Sequence, residues 1–241
     1  MSYENLKSVV DSSQNVVFLG GAGVSTESNI PDFRSEAGIY KTKNNYSYPP
    51  EIMLSHTFFM YHTEDFFDFY RKKMIYKDAK PNDTHYALAE LEKRGKLKAV
   101  ITQNIDGLHQ MAGSHNVLEL HGSIHRNHCT RCNKFFDLDY VLQSADLIPK
   151  CDKCNGIVKP DVVLYEENLD MDVLNNSTEY IRQADILIVG GTSLVVYPAA
   201  GLVDYFNGSN LVLINKSTTP YDNKANIVIH DSIGKVLKSI L

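Results

Sequence analysis

Four cysteines, one amide-and-carboxylate turn, one glycine turn and one histidine hold most of the chemistry available to this 241-residue chain. Cys129 and Cys132 form one Cys-x-x-Cys pair, and Cys151 and Cys154 form another. Each pair lets two thiolates reach one ion from a tight knuckle, and four thiolates in a tetrahedron suit structural zinc. Such a set leaves no open coordination position, so the metal would not be catalytic. A redox dithiol would explain one pair but not two. A set of three cysteines with His125 or His128 would leave one thiol over. The glycine turn, Gly20-Gly21-Ala22-Gly23, directly follows the apolar run 16–19. Glycines let backbone approach a pyrophosphate, and free N–H groups at a helix start attract anions. Val24, Ser25 and Thr26 follow Gly23, so the third glycine of a dehydrogenase fingerprint is missing. The acidic residue expected roughly 20 positions on for ribose is missing too, which disfavours hydride transfer.

Gln103-Asn104-Ile105-Asp106 offers amides and a carboxylate in one polar turn. Asp106 is a candidate holder of a substrate amide, although capping a helix over 107–112 would also account for it. His121 is the strongest candidate base, since an unperturbed imidazole titrates near working pH. The chain has nine histidines, and His56, His62, His85, His115 and His230 show no constellation around them. His109 reads as a packing or hydrogen-bonding residue.

These residues must be positioned by a framework, and the pattern names it. Helical spacing places Leu6, Val9 and Val10 on one face near the start. Strands are expected at 16–19, 98–102, 117–120, 162–164, 186–189, 211–214 and 227–229. Helices are expected at 57–74, at 84–94 with Gly95 as the stop, at 171–183, from about Pro198, and at the end of the chain. Continuously apolar strands alternating with helices indicate a parallel α/β sheet covered on both faces. Such sheets bind ligands beyond the carboxyl ends of their strands. The polar or glycine-rich turns at 20–26, 103–106, 190–193 and 215–217 all follow strands. Residues 24–56 read as loop, and 123–160 as a polar insert holding both cysteine pairs.

Composition excludes disorder and fibrous folds: 43% of residues are hydrophobic and 22% charged. The 24 Lys+Arg against 29 Asp+Glu give a net charge of -5, which argues against nucleic acid as a main partner. The basic residues of the insert are offset by Asp137, Asp139, Asp146 and Asp152, which weakens a nucleic-acid zinc ribbon. No stretch approaches the ~20 apolar residues of a membrane span, and the start lacks a signal-peptide core. A cytoplasmic location is expected, without nucleic-acid or membrane partners, and a monomer is the expected state.

Longer motifs are more specific. Residues 20–34 read GGAGVSTESNIPDFR and 102–113 read TQNIDGLHQMAG, followed by Leu118-Glu119-Leu120-His121-Gly122 and the cysteine pairs. In this order they resemble the sirtuin family of NAD-dependent protein deacylases, from about residue 13 to the end. The resemblance implies a Rossmann-like NAD-binding domain at about 1–122 and 161–241, with a small zinc-ribbon module inserted at about 123–160. It implies that Ala22, Thr26, Phe33 and Arg34 form the first cofactor loop and Gln103, Asn104, Ile105 and Asp106 the second. Thr192 and Ser193 would face the phosphates. Asn215, with Lys216 and Ser217, would face the adenosine ribose, and Asp231 and Ile233 the adenine. Asn104, Asp106 and His121 would be catalytic. Ile105 and Phe33 would wall the nicotinamide, and His121 would deprotonate a ribose hydroxyl after the acyl oxygen has attacked the sugar.

The implied activity is deacetylation of protein lysines, giving nicotinamide, free lysine and O-acetyl-ADP-ribose. Mono-ADP-ribosyl transfer to protein, or a non-catalytic NAD or ADP-ribose sensor, are the alternatives. Residues 159–168 resemble the family's substrate strand, where a peptide adds as an extended strand and Val162 would line the acyl-lysine tunnel. Tyr165-Glu166-Glu167 stands where the family usually has Phe-Gly-Glu, which puts a charge beside that groove. Gly20 replaces a usual Thr, and Asn29 and Ser35 replace usual glycines. Asn tolerates left-handed backbone, so position 29 is chemically sensible. The Tyr-x-x-Arg pair of desuccinylating members is not matched over Phe67-Asp68-Phe69-Tyr70, with Arg71 one position off. That favours neutral acyl groups.

Overall fold

A computed structural model describes residues 2–33, 38–39 and 46–241. The chain opens with α1 (Ser2–Ser12) and β1 (Val16–Gly20). The short helices α2 (Pro50–Met53) and α3 (His56–Tyr61) lead into α4 (Thr63–Lys73) and α5 (Asp83–Lys93). Then come β2 (Leu97–Thr102), α6 (Leu108–Met111) and β3 (Val117–Glu119). A small unit follows: β4 (Gly122–Cys129), β5 (Phe135–Phe136), α7 (Leu138–Gln143) and β6 (Val158–Val162). The chain ends with α8 (Met171–Gln183), β7 (Ile186–Gly190), β8 (Asn210–Ile214), β9 (Ile227–Ile229) and α9 (Ile233–Lys238).

Six strands make a parallel sheet in the order β3-β2-β1-β7-β8-β9. This is the doubly wound, Rossmann-like order, in which the chain leaves the middle in opposite directions from β1 and β7. β1 and β7 are buried along their whole length, as their unbroken apolar sequences require. Leu6, Val10, Leu88, Leu91, Val236 and Leu237 from α1, α5 and α9 cover one face. Ile181 of α8 and Leu202 and Val203 of a 3-10 turn cover the other. The small unit is a three-stranded antiparallel sheet in the order β5-β4-β6.

Three sequence expectations are revised. The helix expected over 57–74 is two helices, broken at His62, whose φ of -132° and ψ of 49° are not helical. The strand expected at 162–164 runs instead over 158–162, because its partner β4 ends the ladder at the pair Gly122–Val162. Beyond it, the N–H of Leu164 turns to Glu167, and Tyr165 keeps only an isolated parallel bridge with Ser55 through the Leu54 carbonyl and the His56 N–H, so the ladder does not continue. The helix expected from Pro198 is a 3-10 turn over Ala199–Tyr205. Gly95 ends α5 at φ 71°, the stop that the sequence signals.

Candidate active site

The strand registers decide where a ligand can go. Gly20 lies level with Thr102 and Gly190, and Gly190 with Ile214. The four turns beyond these residues therefore emerge along one edge of the sheet, at its switch point. They are laced together. The N–H of Gln103 donates to Gly20 O (3.0 Å), and that of Gly21 to Gly190 O (3.2 Å). The N–H of Gly23 donates to Gly191 O (2.8 Å). A Cβ on Gly23 would sit 2.7 Å from Gly191 Cα, so this crossing admits no side chain. Together they floor a cleft of about 1370 Å³, roofed by the apolar cluster of α2 to α4 with Val162 and Leu164.

His121 follows β3 and faces this cleft. Its Nδ1 lies 3.0 Å from the carbonyl of Gln103, which can only accept a hydrogen bond. The neutral ring therefore carries its proton on Nδ1 and presents Nε2 as a lone pair. Burial lowers its pKa from 6.5, partly opposed by that carbonyl. Asp106 and Asn104 are tied to the glycine turn through one hydroxyl. Ser25 Oγ donates to Asp106 Oδ2 (2.6 Å) and accepts from Asn104 Nδ2 (2.9 Å). Asp106 Oδ1 also accepts the N–H of Leu108 (3.0 Å), so the carboxylate closes the turn that enters α6, whose N-cap is Gly107, and also faces the cleft.

The far end of the cleft is polar. Gln103 Nε2 donates to Thr192 Oγ1 (3.2 Å), and the N–H of Thr192 donates to Asn215 Oδ1 (3.1 Å). Asn215 Nδ2 is buried without a partner, a donor that a bound polar group would satisfy. Thr26 Oγ1 donates to Gly23 O (2.9 Å), bracing the glycine turn. Asp231 accepts from Tyr3 (2.5 Å) and Lys235 (2.6 Å), which hold its carboxyl well below the usual range. Ala22, Phe33, Ile105, Val162, Ser193, Lys216, Ser217 and Ile233 also line the cleft. The cleft suits a long polar ligand: the side-chain-free crossing of Gly23 over Gly191 allows close approach, and Asn215 Nδ2 offers an unpartnered donor. The N–H groups of Gly21, Gly23 and Gly191 are spent on protein carbonyls, so the glycine amides themselves are not the anion donors that the sequence suggests. Arg34 and Ser35 lie outside the described residues.

Comparison with known proteins decides the family. The Sir2 family model matches residues 21–198. The chain belongs to the Sir2 family. A relative from Clostridium acetobutylicum, named NAD-dependent protein deacetylase, is 71% identical over 98% of this chain and 96% of its own. A Sir2 variant solved with deacetylated p53 peptide and 3'-O-acetyl ADP ribose gives a TM-score of 0.91 at 38% identity, covering 100% of this chain and 97% of that one. A Sir2 structure with p53 peptide and NAD+ gives 0.85 at 37% identity, covering 100% and 97%.

In this Sir2 chain the four cysteine sulfurs lie within 4.8 Å of one another. Cys129 and Cys154 sulfurs are 3.4 Å apart, and those of Cys132 and Cys151 3.6 Å. A disulfide would need ~2 Å. Zn–S bonds of ~2.3 Å in a tetrahedron place sulfurs about 3.8 Å apart, which fits. The N–H of Arg131 points at Cys129 Sγ and that of Lys153 at Cys151 Sγ, both 3.4 Å, favouring thiolates. None of the four lines the cleft.

Other Sir2 departures acquire reasons here. Asn29 takes φ 61° and Glu166 φ 75°, so both hold the left-handed backbone that a glycine would adopt freely. The Glu166 carboxylate accepts the N–H of Thr57 (2.8 Å) at the start of α3. Glu167 is engaged by His56 (2.9 Å) and Lys159 (3.3 Å).

Sequence reading passed over several residues. Ser25 joins both catalytic turns, but a lone serine carries no signal. Lys73, three places after Tyr70, reaches the cleft, whereas Arg71 donates to the Asp146 carbonyl. The histidines left without a constellation are not all alone. His230 lies 3.3 Å from Asp222, and His85 packs on His109 with ring centroids 4.7 Å apart.

Proposed function

We propose that this chain is an NAD-dependent protein lysine deacetylase with one structural zinc. A single observation supports this reading above the others. An uncharged imidazole, His121, presents an unoccupied Nε2 between the turn of Asn104 and Asp106 and the acyl-side wall at Val162. A sensor of NAD or ADP-ribose needs no such base.

NAD supplies a nicotinamide–ribose bond whose cleavage leaves an electrophilic sugar carbon. The chain's own groups act around it. Asp106 holds the nicotinamide amide, with Phe33 and Ile105 as apolar walls. Asn104, its Nδ2 committed to Ser25, turns Oδ1 to a ribose hydroxyl. His121 takes a proton from a ribose hydroxyl at Nε2, as its lowered pKa favours at neutral pH. Ala22, Thr26, Arg34, Gln103, Thr192 and Ser193 hold the phosphate side. Asn215 meets the adenosine ribose with its unpartnered amide, and Asp231 and Ile233 close on the adenine. Val162 lines the passage for the acylated lysine. We place the Rossmann-like domain at about 1–122 and 161–241 and the zinc module at about 123–160.

No described helix is long and apolar enough to cross a membrane. Four cysteines grouped for a metal and not paired as disulfides support a cytoplasmic location, and a net charge of -5 weighs against nucleic acid as a main partner. The test is to incubate the protein with NAD and an acetyl-lysine peptide. Nicotinamide, free lysine and O-acetyl-ADP-ribose should appear together. Label passing from NAD to protein without deacetylation would favour ADP-ribosyl transfer, and NAD binding without nicotinamide release would favour a sensor.

A further inference from the structure

Asn82 is the residue before α5 and does not line the cleft. Its carboxamide is nevertheless fully engaged. Oδ1 accepts the N–H of Thr84 (2.9 Å), capping the helix. Nδ2 donates to Val24 O (2.8 Å) and to Ser28 Oγ (2.9 Å). Its main-chain N–H donates to His85 Nδ1 (3.1 Å). Flipping the amide would set an NH2 group against the Thr84 N–H and an oxygen against the Val24 carbonyl, so the orientation is fixed.

Val24 and Ser28 bracket Ser25 and Thr26 in the glycine turn. Ser25 is the hydroxyl that ties Asn104 and Asp106 to that turn. One amide therefore grips, from outside the cleft, both flanks of the segment that sets the spacing of the two catalytic turns. The same corner reaches the second turn as well. His85, fixed by the Asn82 N–H, packs on His109 of α6, the helix that starts just after Asp106.

We propose that Asn82 is a positioning residue for NAD: it fixes the glycine turn against the Asp106 turn, and so sets affinity for the cofactor and not for the acyl peptide. This rests on the deacetylase reading above. Asn82→Asp is the discriminating variant. A carboxylate still caps α5 and can accept from the Ser28 hydroxyl, but it meets the Val24 carbonyl oxygen to oxygen. Ser28→Ala removes one arm and leaves the cap untouched.

The experiment measures KM for NAD at saturating acetyl-lysine peptide, and KM for peptide at saturating NAD, with a melting curve for each protein. Asn82→Asp should raise KM for NAD about tenfold, equivalent to about 1.4 kcal/mol, with peptide KM within about twofold. Ser28→Ala should raise KM for NAD about threefold. A folded Asn82→Asp protein with unchanged KM for NAD overturns the proposal, as does an equal rise in both constants. If Asn82→Asp does not fold, Ser28→Ala decides, and an unchanged KM for NAD there overturns it. Wild-type protein that releases no nicotinamide refutes the deacetylase reading itself. Normal wild-type turnover with unmoved variants refutes only the role of Asn82.

Discussion

The crossing of the glycine turn over the 190–193 turn can be tested by one methyl group. Gly191 sits at φ 64°, and a Cβ there would lie 2.5 Å from Val24 N, 2.8 Å from Gly23 C and 2.9 Å from Ile233 Cδ1. Two of those atoms are backbone and cannot swing away. Ordinary contact begins near 3.4 Å, so Gly191→Ala must part the turns by about 0.9 Å. The 2.8 Å bond from Gly23 N–H to Gly191 O would then be lost. The left-handed backbone costs ~1–2 kcal/mol with any side chain, and the lost bond adds about 1. We expect Gly191→Ala to lose about 2–3 kcal/mol, which for a chain of this length lowers the melting temperature by ~4–12 °C. Gly95 gives the matched control. Its φ is 71°, yet nothing lies within 4 Å of its Cβ position, so Gly95→Ala should lose only the backbone term. The function should split the same way. A displacement near 1 Å at the phosphate side costs up to ~10²-fold in activity, so KM for NAD should rise steeply in Gly191→Ala and stay unchanged in Gly95→Ala. Equal melting shifts in the two variants, with KM for NAD unmoved in both, would refute the reasoning.

The zinc site predicts one zinc per chain by elemental analysis. Cys151→Ser should release it and lower the melting temperature, although no cysteine touches the cleft; a zinc-free protein with normal melting would contradict this. Burial lowers the pKa of His121, and a base must be neutral, so kcat/KM should rise with pH through an acid limb centred below 6.5. A limb at or above 6.5 would count against His121. Burial also pushes His85 down to about 4 and His109 to about 3. Both are neutral in the fold, so stability should be full above 6.5 and fall as pH drops from 6.5 toward 4. A melting temperature flat across that window would contradict their burial.

The framework was legible because its strands are buried on both faces and therefore read as unbroken apolar runs. The sheet strands 16–20, 186–190, 210–214 and 227–229 all came out within a residue of expectation. The turns were legible for a related reason: a glycine or amide pair directly after such a run has nowhere to go but the carboxyl edge. The cysteines were legible by spacing alone. What was hidden depends on long-range pairing. The end of β6 is set by Gly122 across the ladder, and the backbone leaves the helical region at His62, where Phe59 of α3 packs on Phe66 and Phe67 of α4; neither has a local signature. Ser25, Asn82 and Lys73 gain their importance from partners distant in sequence, such as Asp106 and Val24, and a single sequence gives no reason to single them out. The left-handed backbone at Asn29 was legible because Asn tolerates it where the family has glycine, whereas that at Glu166 was not, since a glutamate carries no such signal.

The most direct test of the account compares wild type with His121→Ala, measuring nicotinamide release and lysine deacetylation in the same reaction with NAD and an acetyl-lysine peptide. Wild type should give the two products in equal amounts. His121→Ala should lose ~10²–10⁴-fold in deacetylation, the worth of a positioned base, while the protein stays folded. Undiminished deacetylation in His121→Ala, or no deacetylation in wild type, would contradict it.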